Sequence, residues 1–436
     1  MLLDRLDLRG LAPTAVAGAL PLPAFEEQAP SQAVAEILGQ VRREGDQALR
    51  RLTARFDGVE LDDLRVPPAD LEAALAAVPP ELRQALEVAW ERIVAYHRHQ
   101  LQPETAVEVE GVVVRHLARP VGRVGVYAPG GRARYPSSVL MGVAPARVAG
   151  VEEIVLCAPP QRDGSVAVET LAAAAVCGVQ EVYRVGGAQA VAALAYGTES
   201  IRPVDVIVGP GNSYVAEAKR QVAGRVGIPA GFAGPSEVVV VADASVPATW
   251  AAIDVLVQAE HGPDGLAWLV TTDDQVAERV AAEVDRLVAA SPRRDDLAST
   301  LARSGYAVVV DDAEAVAAVV NTVAPEHLEL LVAEPQPILE RVRAAGAIFV
   351  GPYAPASVGD YVAGPNHVLP TARTARFSSA LRVQDFQVQL HAVEVPAEAL
   401  AALGPHVVAL ADAEGLPAHA DSVRLRLVDP DRPGGA

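Results

Sequence analysis

The chain has 436 residues, 51% hydrophobic and 21% charged, with a net charge of −19 and a pI of about 4.9. That length predicts two or three domains with cores of their own, and that acidity excludes a sequence-independent grip on nucleic acid or an anionic membrane. Two cysteines, Cys157 and Cys177, exclude a disulfide framework and a cysteine-based zinc site, while the charged start MLLDRLDLRG and the lack of a long apolar run argue against a signal peptide or a bilayer span, so the chain reads as cytoplasmic.

Residues 1–105 read as helical. Ser31 can cap a helix whose apolar residues recur three and four apart, and further helices begin at PADLEAALAAV and PPELRQALEVAW, after prolines that suit a first turn. His97 and His99 are two apart on the last of these and share no helical face, which reads as solvated surface. From about residue 106 β-branched runs take over, and strand then alternates with helix. Strands are expected at 123–127, 153–157, 181–185 and 204–208, with helices at 136–149, 167–177, 188–196 and 212–223.

A second series follows GRVGIPAGFAGPSE, with strands at 237–242, 266–271, 306–311, 328–332 and 347–350. Its helices are expected at 247–261, 273–290, 313–322 and 336–345. The fold class predicted is α/β, two back-to-back Rossmann-like parallel-sheet units with a helical N-terminal region and a small C-terminal tail domain. The expected boundaries are 1–105 for an arm and helices packing on the second α/β unit, 106–235 for the first, nucleotide-side unit, 236–380 for the second, metal and catalytic unit, and 381–436 for the tail. The tail looks too small to bury a core alone, so it is expected to pack on something else, such as another subunit.

Three strand ends of the first unit run into glycine: GVYAPGG, YRVGGAQA and VIVGPGNSYV. Ligands bind outside the carboxyl ends of parallel strands, where glycine lets backbone N–H groups approach phosphate, although each glycine could equally make only a tight turn. Tyr127, Gln189 and Asn212 sit in these turns as polar groups suited to a ribose.

VLVQAEHG (255–262) sets Gln258 and His261 three apart on one face near a helix end, so an amide oxygen and an imidazole reach the same point, as metal ligands must. Asp360, in the irregular loop SVGDYVAGPNHVLPT, and His419, in the tail segment AEGLPAHADSV, are candidate partners for them, with Glu414 five residues before His419. One amide, one carboxylate and two imidazoles suit Zn²⁺, with Mn²⁺ or Co²⁺ as alternatives. Glu326 and His327 in PEHLEL are adjacent titratable groups fit for general base work, or else an ordinary exposed pair. His367 reads as a hydrogen-bonded loop histidine, and His116, His391 and His406 as structural. Cys157 and Cys177 lie in apolar settings with no base beside them and read as packed, inert thiols.

These segments together resemble the histidinol dehydrogenase family, from about residue 25 to 430, most densely in VGVYAPGG, YPSSVLM, YRVGGAQAVAALAYGTESI, VGPGN, AGPSE, QAEHG, PEHLEL, GPNHVLPT and TARFSS. The resemblance implies that Gln258, His261, Asp360 and His419 hold one Zn²⁺ per subunit and that Glu326 and His327 move protons. It implies a substrate held by Ser236, Gln258, His261, His327, Asp360, Glu414 and His419, and NAD⁺ contacted by Tyr127, Gln189 and Asn212. It also implies a homodimer with shared active sites and the four-electron oxidation of L-histidinol to L-histidine through an aldehyde with two NAD⁺, the last step of histidine biosynthesis. Two other readings remain at this stage: a relative acting on another small polar alcohol, such as a sulfonated diol, and a zinc hydrolase. The chain departs from the family pattern in GIPAGF, in the two arginines of YAPGGRARYP and in LPTARTARF, which lacks the usual glycines.

Overall fold

The chain begins with a strand: Asp4–Asp7 (β1) pairs in parallel with a strand from the later half of the sequence. The computed structural model describes residues 1–22, 30–130, 134–229, 234, 236–260 and 265–428. Helices follow at Pro13–Ala19 (α1), Ser31–Phe56 (α2), Pro68–Ala77 (α3) and Pro80–Arg98 (α4). Three of these four carry proline in the first turn, where its missing N–H costs nothing. α2 bends at Gly45, whose φ of +53° is open to glycine and whose absent Cβ leaves room for the Glu199 carboxylate.

A hairpin of Thr105–Val109 (β2) and Val112–Pro120 (β3) comes next. The first α/β series is Arg123–Tyr127 (β4), Pro136–Ala149 (α5), Glu153–Ala158 (β5), Val168–Val176 (α6), Glu181–Arg184 (β6), Gly187–Tyr196 (α7), Val206–Val208 (β7) and Ser213–Val222 (α8). Its four strands run parallel in the order β6-β5-β4-β7. The strand order reverses between β4 and β7, which opens a crevice at their carboxyl ends. Gly209, at a φ of +108°, lies so close under the Tyr127 carbonyl there that a Cβ would fall 1.9 Å from its oxygen.

The second series is Glu237–Ala242 (β8), Ala248–Ala259 (α9), Leu266–Thr271 (β9), Asp274–Ala290 (α10), Arg294–Ser304 (α11), Gly305–Val309 (β10), Ala313–Val323 (α12), His327–Leu331 (β11), Gln336–Leu339 (α13), Ala347–Val350 (β12) and Ala356–Tyr361 (α14). Its sheet is also parallel, in the order β1-β10-β9-β8-β11-β12. All six residues of β8 and all six of β9 are buried, as unbroken apolar strands covered on both faces must be. The chain closes with Gln387–Glu394 (β13), Ala397–Ala413 (α15) and Pro417–Leu427 (α16).

Contacts divide the chain into two compact units, Met1–Gln100 with Val121–Phe386, and Leu101–Pro120 with Gln387–Ala436. The smaller unit has its own antiparallel sheet, β13-β3-β2, with α15 packed on α16. This corrects the expected boundary at residue 106. The hairpin goes with the tail because β3 pairs with β13 along eight residues, from Pro120 opposite Gln387 to Val113 opposite Glu394.

The N-terminal region needs a second correction. α2 packs on α7 and α8, α3 on α6, and α4 on α5, so these helices cover the first sheet and not the second. Among the described N-terminal elements, β1 and α1 join the second sheet, α1 lying against α12. His97 is a third correction: it is fully buried in α4, its Nδ1 2.8 Å from the Ile93 carbonyl and its Nε2 facing the Asn366 amide. His99, two residues on, is exposed.

Candidate active site

Ser236, Gln258, Glu326, His327 and Asp360 line a single cavity of 330 Å³ inside the larger unit. The two sheets meet it from opposite ends. Gly209, Pro210 and Gly211 reach it from the carboxyl end of β7, whereas Ser236, Glu326 and His327 stand at the amino ends of β8 and β11. The turn into β11 is made by Ala324, which closes α12 in the left-handed region at a φ of +49°, followed by Pro325.

His327 is held at both ring nitrogens. Nδ1 lies 3.2 Å from the Glu237 carbonyl oxygen and 3.5 Å from Glu326 Oε2, and Nε2 lies 3.2 Å from Asp360 Oδ1. The Phe349 ring stacks against it at 6.0 Å. Burial opposes a charged imidazole, but the Glu326 and Asp360 carboxylates outweigh it and raise the His327 pKa to about 10. His367 Nδ1–H donates to the Asp360 main-chain oxygen at 2.9 Å, so the loop histidine is hydrogen-bonded as expected.

Gln258, on α9, is 1% exposed, and neither its Nε2 nor its Oε1 has a hydrogen-bond partner. A buried amide left unpaired costs roughly 1–3 kcal/mol. Here it faces a cavity that also holds a carboxylate, so the side chain fits a role as ligand to a cation or substrate. Among the described residues no group of three or more His, Cys, Asp and Glu side chains has metal-binding geometry. His261 lies outside the described residues. Glu414, at the end of α15, and His419, in α16, are exposed on the smaller unit.

A larger cavity, 740 Å³, opens at the carboxyl edge of the first sheet and brings Tyr127, Gln189 and Asn212 together. Asn212 caps α8, its Oδ1 accepting from the Tyr214 and Val215 N–H groups, both at 3.1 Å. The Tyr127 hydroxyl accepts from Gly187 N–H at 3.1 Å, and burial pushes its pKa up to about 12. The turn at 209–212 serves both cavities, Gly211 facing the smaller and Asn212 the larger.

Sequence reasoning did not single out two residues here. Lys219, the only lysine in the sequence, lines the smaller cavity, donates to the Gly209 carbonyl and is pulled down to about 8 by burial. Its uniqueness was the available signal. Glu237, 1% exposed, touches both Glu326 and His327 through its main chain, and nothing in the sequence separates it from the apolar strand it begins. Cys157 and Cys177 are buried free thiols, Cys157 raised to about 12 by burial, in keeping with inert packing.

A histidine braced between carboxylates, beside a crevice of dinucleotide-binding topology, sets a proton-transfer group next to a nucleotide site in an α/β protein. A family model described as Histidinol dehydrogenase matches residues 22–427. The histidinol dehydrogenase of Synechococcus sp. is 49% identical over 403 residues, covering 92% of each chain. That of Moorella thermoacetica is 49% identical over 398 residues, 90% of this chain and 93% of its own. The crystal structure of histidinol dehydrogenase from Elizabethkingia anophelis aligns with a TM-score of 0.93 at 34% identity, over 98% of both chains. The chain belongs to the histidinol dehydrogenase family, and it is an NAD-dependent dehydrogenase.

Proposed function

We propose that the chain oxidises L-histidinol to L-histidine through L-histidinal, with two NAD⁺ and a Zn²⁺ ion, as the last step of histidine biosynthesis. The observation that carries this reading is His327, buried and fixed at both nitrogens in the same cavity as Glu326, Asp360 and the unpartnered Gln258. Gln258, His261, Asp360 and His419 are assigned to the metal. Ser236, His327 and Glu414, with those four, are assigned to the substrate, and Tyr127, Gln189 and Asn212 to NAD⁺. The protein is proposed to act as a homodimer in the cytoplasm, with a small-molecule substrate and no nucleic-acid or membrane partner. Among the described residues no helix is long and apolar enough to cross a membrane.

When bound, Zn²⁺ polarises the substrate and offsets the Asp360 charge, and NAD⁺ accepts hydride. The chain's own residues move the protons. The Glu237 carbonyl accepts from His327 Nδ1–H, and a cation on Asp360 would remove the carboxylate charge that holds a proton on Nε2, which leaves Nε2 as the working nitrogen. Nε2 takes the hydroxyl proton of the alcohol as hydride leaves its carbon, giving the aldehyde. Glu326 takes a proton from the water that adds to the aldehyde. Nε2, having released its first proton to solvent, then takes the hydrate's remaining hydroxyl proton as the second hydride leaves, and the carboxylate results. Glu414 favours a substrate with cationic groups, because a carboxylate repels a sulfonate.

The test is NADH formation from histidinol and NAD⁺ with zinc present, in the wild type and in His327→Asn. General base catalysis is worth about 10²–10⁴ in rate, so the variant is expected to lose turnover by roughly that factor with KM within a few-fold. Turnover within about tenfold of wild type removes His327 from the role. Wild-type protein that forms no NADH from histidinol removes the substrate.

A further inference from the structure

We infer that Glu237 is the positioning residue for Glu326, holding it where it acts on the aldehyde, a proposal that rests on Glu326 being the water-activating base. Glu237 begins β8, immediately after Ser236, and is 1% exposed. A carboxylate in such a place costs several kcal/mol unless its oxygens are satisfied, so a residue that only filled space there would be apolar.

Both oxygens are taken by main-chain donors. Oε2 accepts from Glu326 N–H at 3.2 Å, and Oε1 accepts from Ala372 N–H at 2.9 Å. The contact with Glu326 is reciprocal, because Glu237 N–H donates to Glu326 Oε2 at 3.1 Å. The Glu237 carbonyl faces His327 Nδ1 at 3.2 Å. One residue therefore ties together the start of β8, the entry to β11 and the loop around Thr371, and all three segments line the catalytic cavity.

The loop is built to meet it. Ala372 and Arg373 both lie in the left-handed region, at φ of +53° and +62°, and this turns the Ala372 N–H inward to the Glu237 carboxyl. Thr371 Oγ1 accepts from Gly234 N–H at 2.6 Å, which closes the loop over the segment that leads into β8. Two consecutive non-glycine residues in this region are uncommon and persist only where surrounding contacts impose them. Burial, and then the charge of Glu326, push the Glu237 carboxyl up to about 8, which fits its place beside a second carboxylate.

Glu237→Gln keeps the shape but puts an N–H₂ group where one of the two N–H donors needs an acceptor. The side chain reaches Glu326 and not the His327 ring, so the loss falls on the stage that uses Glu326. The experiment takes the zinc-loaded full-length enzyme and measures three rates: histidinol oxidation, histidinal oxidation by NAD⁺, and histidinal reduction by NADH, which reverses the first stage. Metal content and thermal unfolding are recorded alongside, with Glu326→Gln as the control.

Glu237→Gln is expected to slow histidinal oxidation by at least ~30-fold, with histidinal reduction and the KM for histidinal within about threefold, a fraction of the 10²–10⁴ a general base supplies. Equal loss in both directions overturns the proposal, since a structural defect acts on both, and so does no loss in either. If Glu326→Gln is selective for aldehyde oxidation and Glu237→Gln is not, the proposal alone falls. If Glu326→Gln is not selective, the reading of Glu326 falls and takes the proposal with it. Should Glu237→Gln not accumulate as folded protein, Glu237→Asp, one methylene shorter, is read by the same criteria.

Discussion

Two acids share the interior near His327. Glu329 stands two residues after His327 on β11 and is fully buried, and Asp254 stands one helical turn before Gln258 on α9. Glu329 Oε1 accepts from Ala356 N–H at 3.0 Å, at the first residue of the short helix that ends with Asp360 and Tyr361. Burial first, then the charge of Asp254, raise the Glu329 pKa from its ordinary 4.5 to about 9, and burial raises Asp254 as well. The folded chain thus keeps a proton that the unfolded chain releases above about pH 4.5. Stability from this source is complete below that pH and declines as pH rises toward 9.

Glu329→Gln, which carries no proton to lose, is expected to flatten that decline. Wild type minus variant should become more unfavourable by an amount on the order of 1–3 kcal/mol between pH 5 and 9. Thermal or denaturant unfolding across that range measures it. Parallel pH profiles for the two proteins would show that Glu329 ionises in the folded state. The residue scale is also where sequence reading reached its limit. Glu326 and His327 stood out as adjacent titratable groups, whereas Glu237 and Glu329 lie in strands whose apolar pattern hides an inward acid.

At the scale of elements, local chemistry decides most boundaries. Pro136 starts α5 and Gly150, at a φ of +96°, ends it, so the helix predicted at 136–149 is found as Pro136–Ala149. Unbroken apolar runs likewise set β4, β8 and β9 where their patterns put them. β1 was missed because DRLD has no apolar run and sits at a sheet edge. α11 falls in the stretch between the helix expected to 290 and the strand expected from 306, for which no element was expected, and it opens after Pro292 with a charged first turn. Partner choice was not legible either: a helix pattern shows which face is apolar but not which sheet it covers, and α2, α3 and α4 went to the first.

The loop at 371–373 makes a prediction at this scale. Family relatives carry glycines here by the resemblance, and this chain places Ala372 at +53°. A left-handed alanine costs roughly 1–2 kcal/mol and a glycine loses roughly 0.5–1 kcal/mol of chain entropy, so Ala372→Gly is expected to stabilise by up to about 1.5 kcal/mol. The N–H to Glu237 is kept. A melting temperature lower than wild type would show that the left-handed backbone is not the dominant strain.

Over the whole molecule, the two parallel sheets were legible from alternation alone, and the fold class followed. Their joint use was not. In an open α/β sheet the ligand site sits at the carboxyl ends of the strands, and the first sheet obeys this with its 740 Å³ cavity. The second sheet contributes Ser236, Glu326 and His327 from the paired amino ends of β8 and β11, so the smaller cavity is walled by both sheets inside one compact unit. Strand periodicity carries no information on which end of a sheet faces a neighbour.

The central claim is that side chains far apart in sequence close around one cation beside His327. Diffraction data collected on either side of the zinc absorption edge, from crystals grown with zinc and histidinol, test it most directly. The anomalous peak is predicted within about 2.0–2.3 Å of Gln258 Oε1 and an Asp360 oxygen, with the histidinol carbinol in reach of His327 Nε2. A peak bound by other side chains, with Gln258 and Asp360 turned away from it, would contradict the claim.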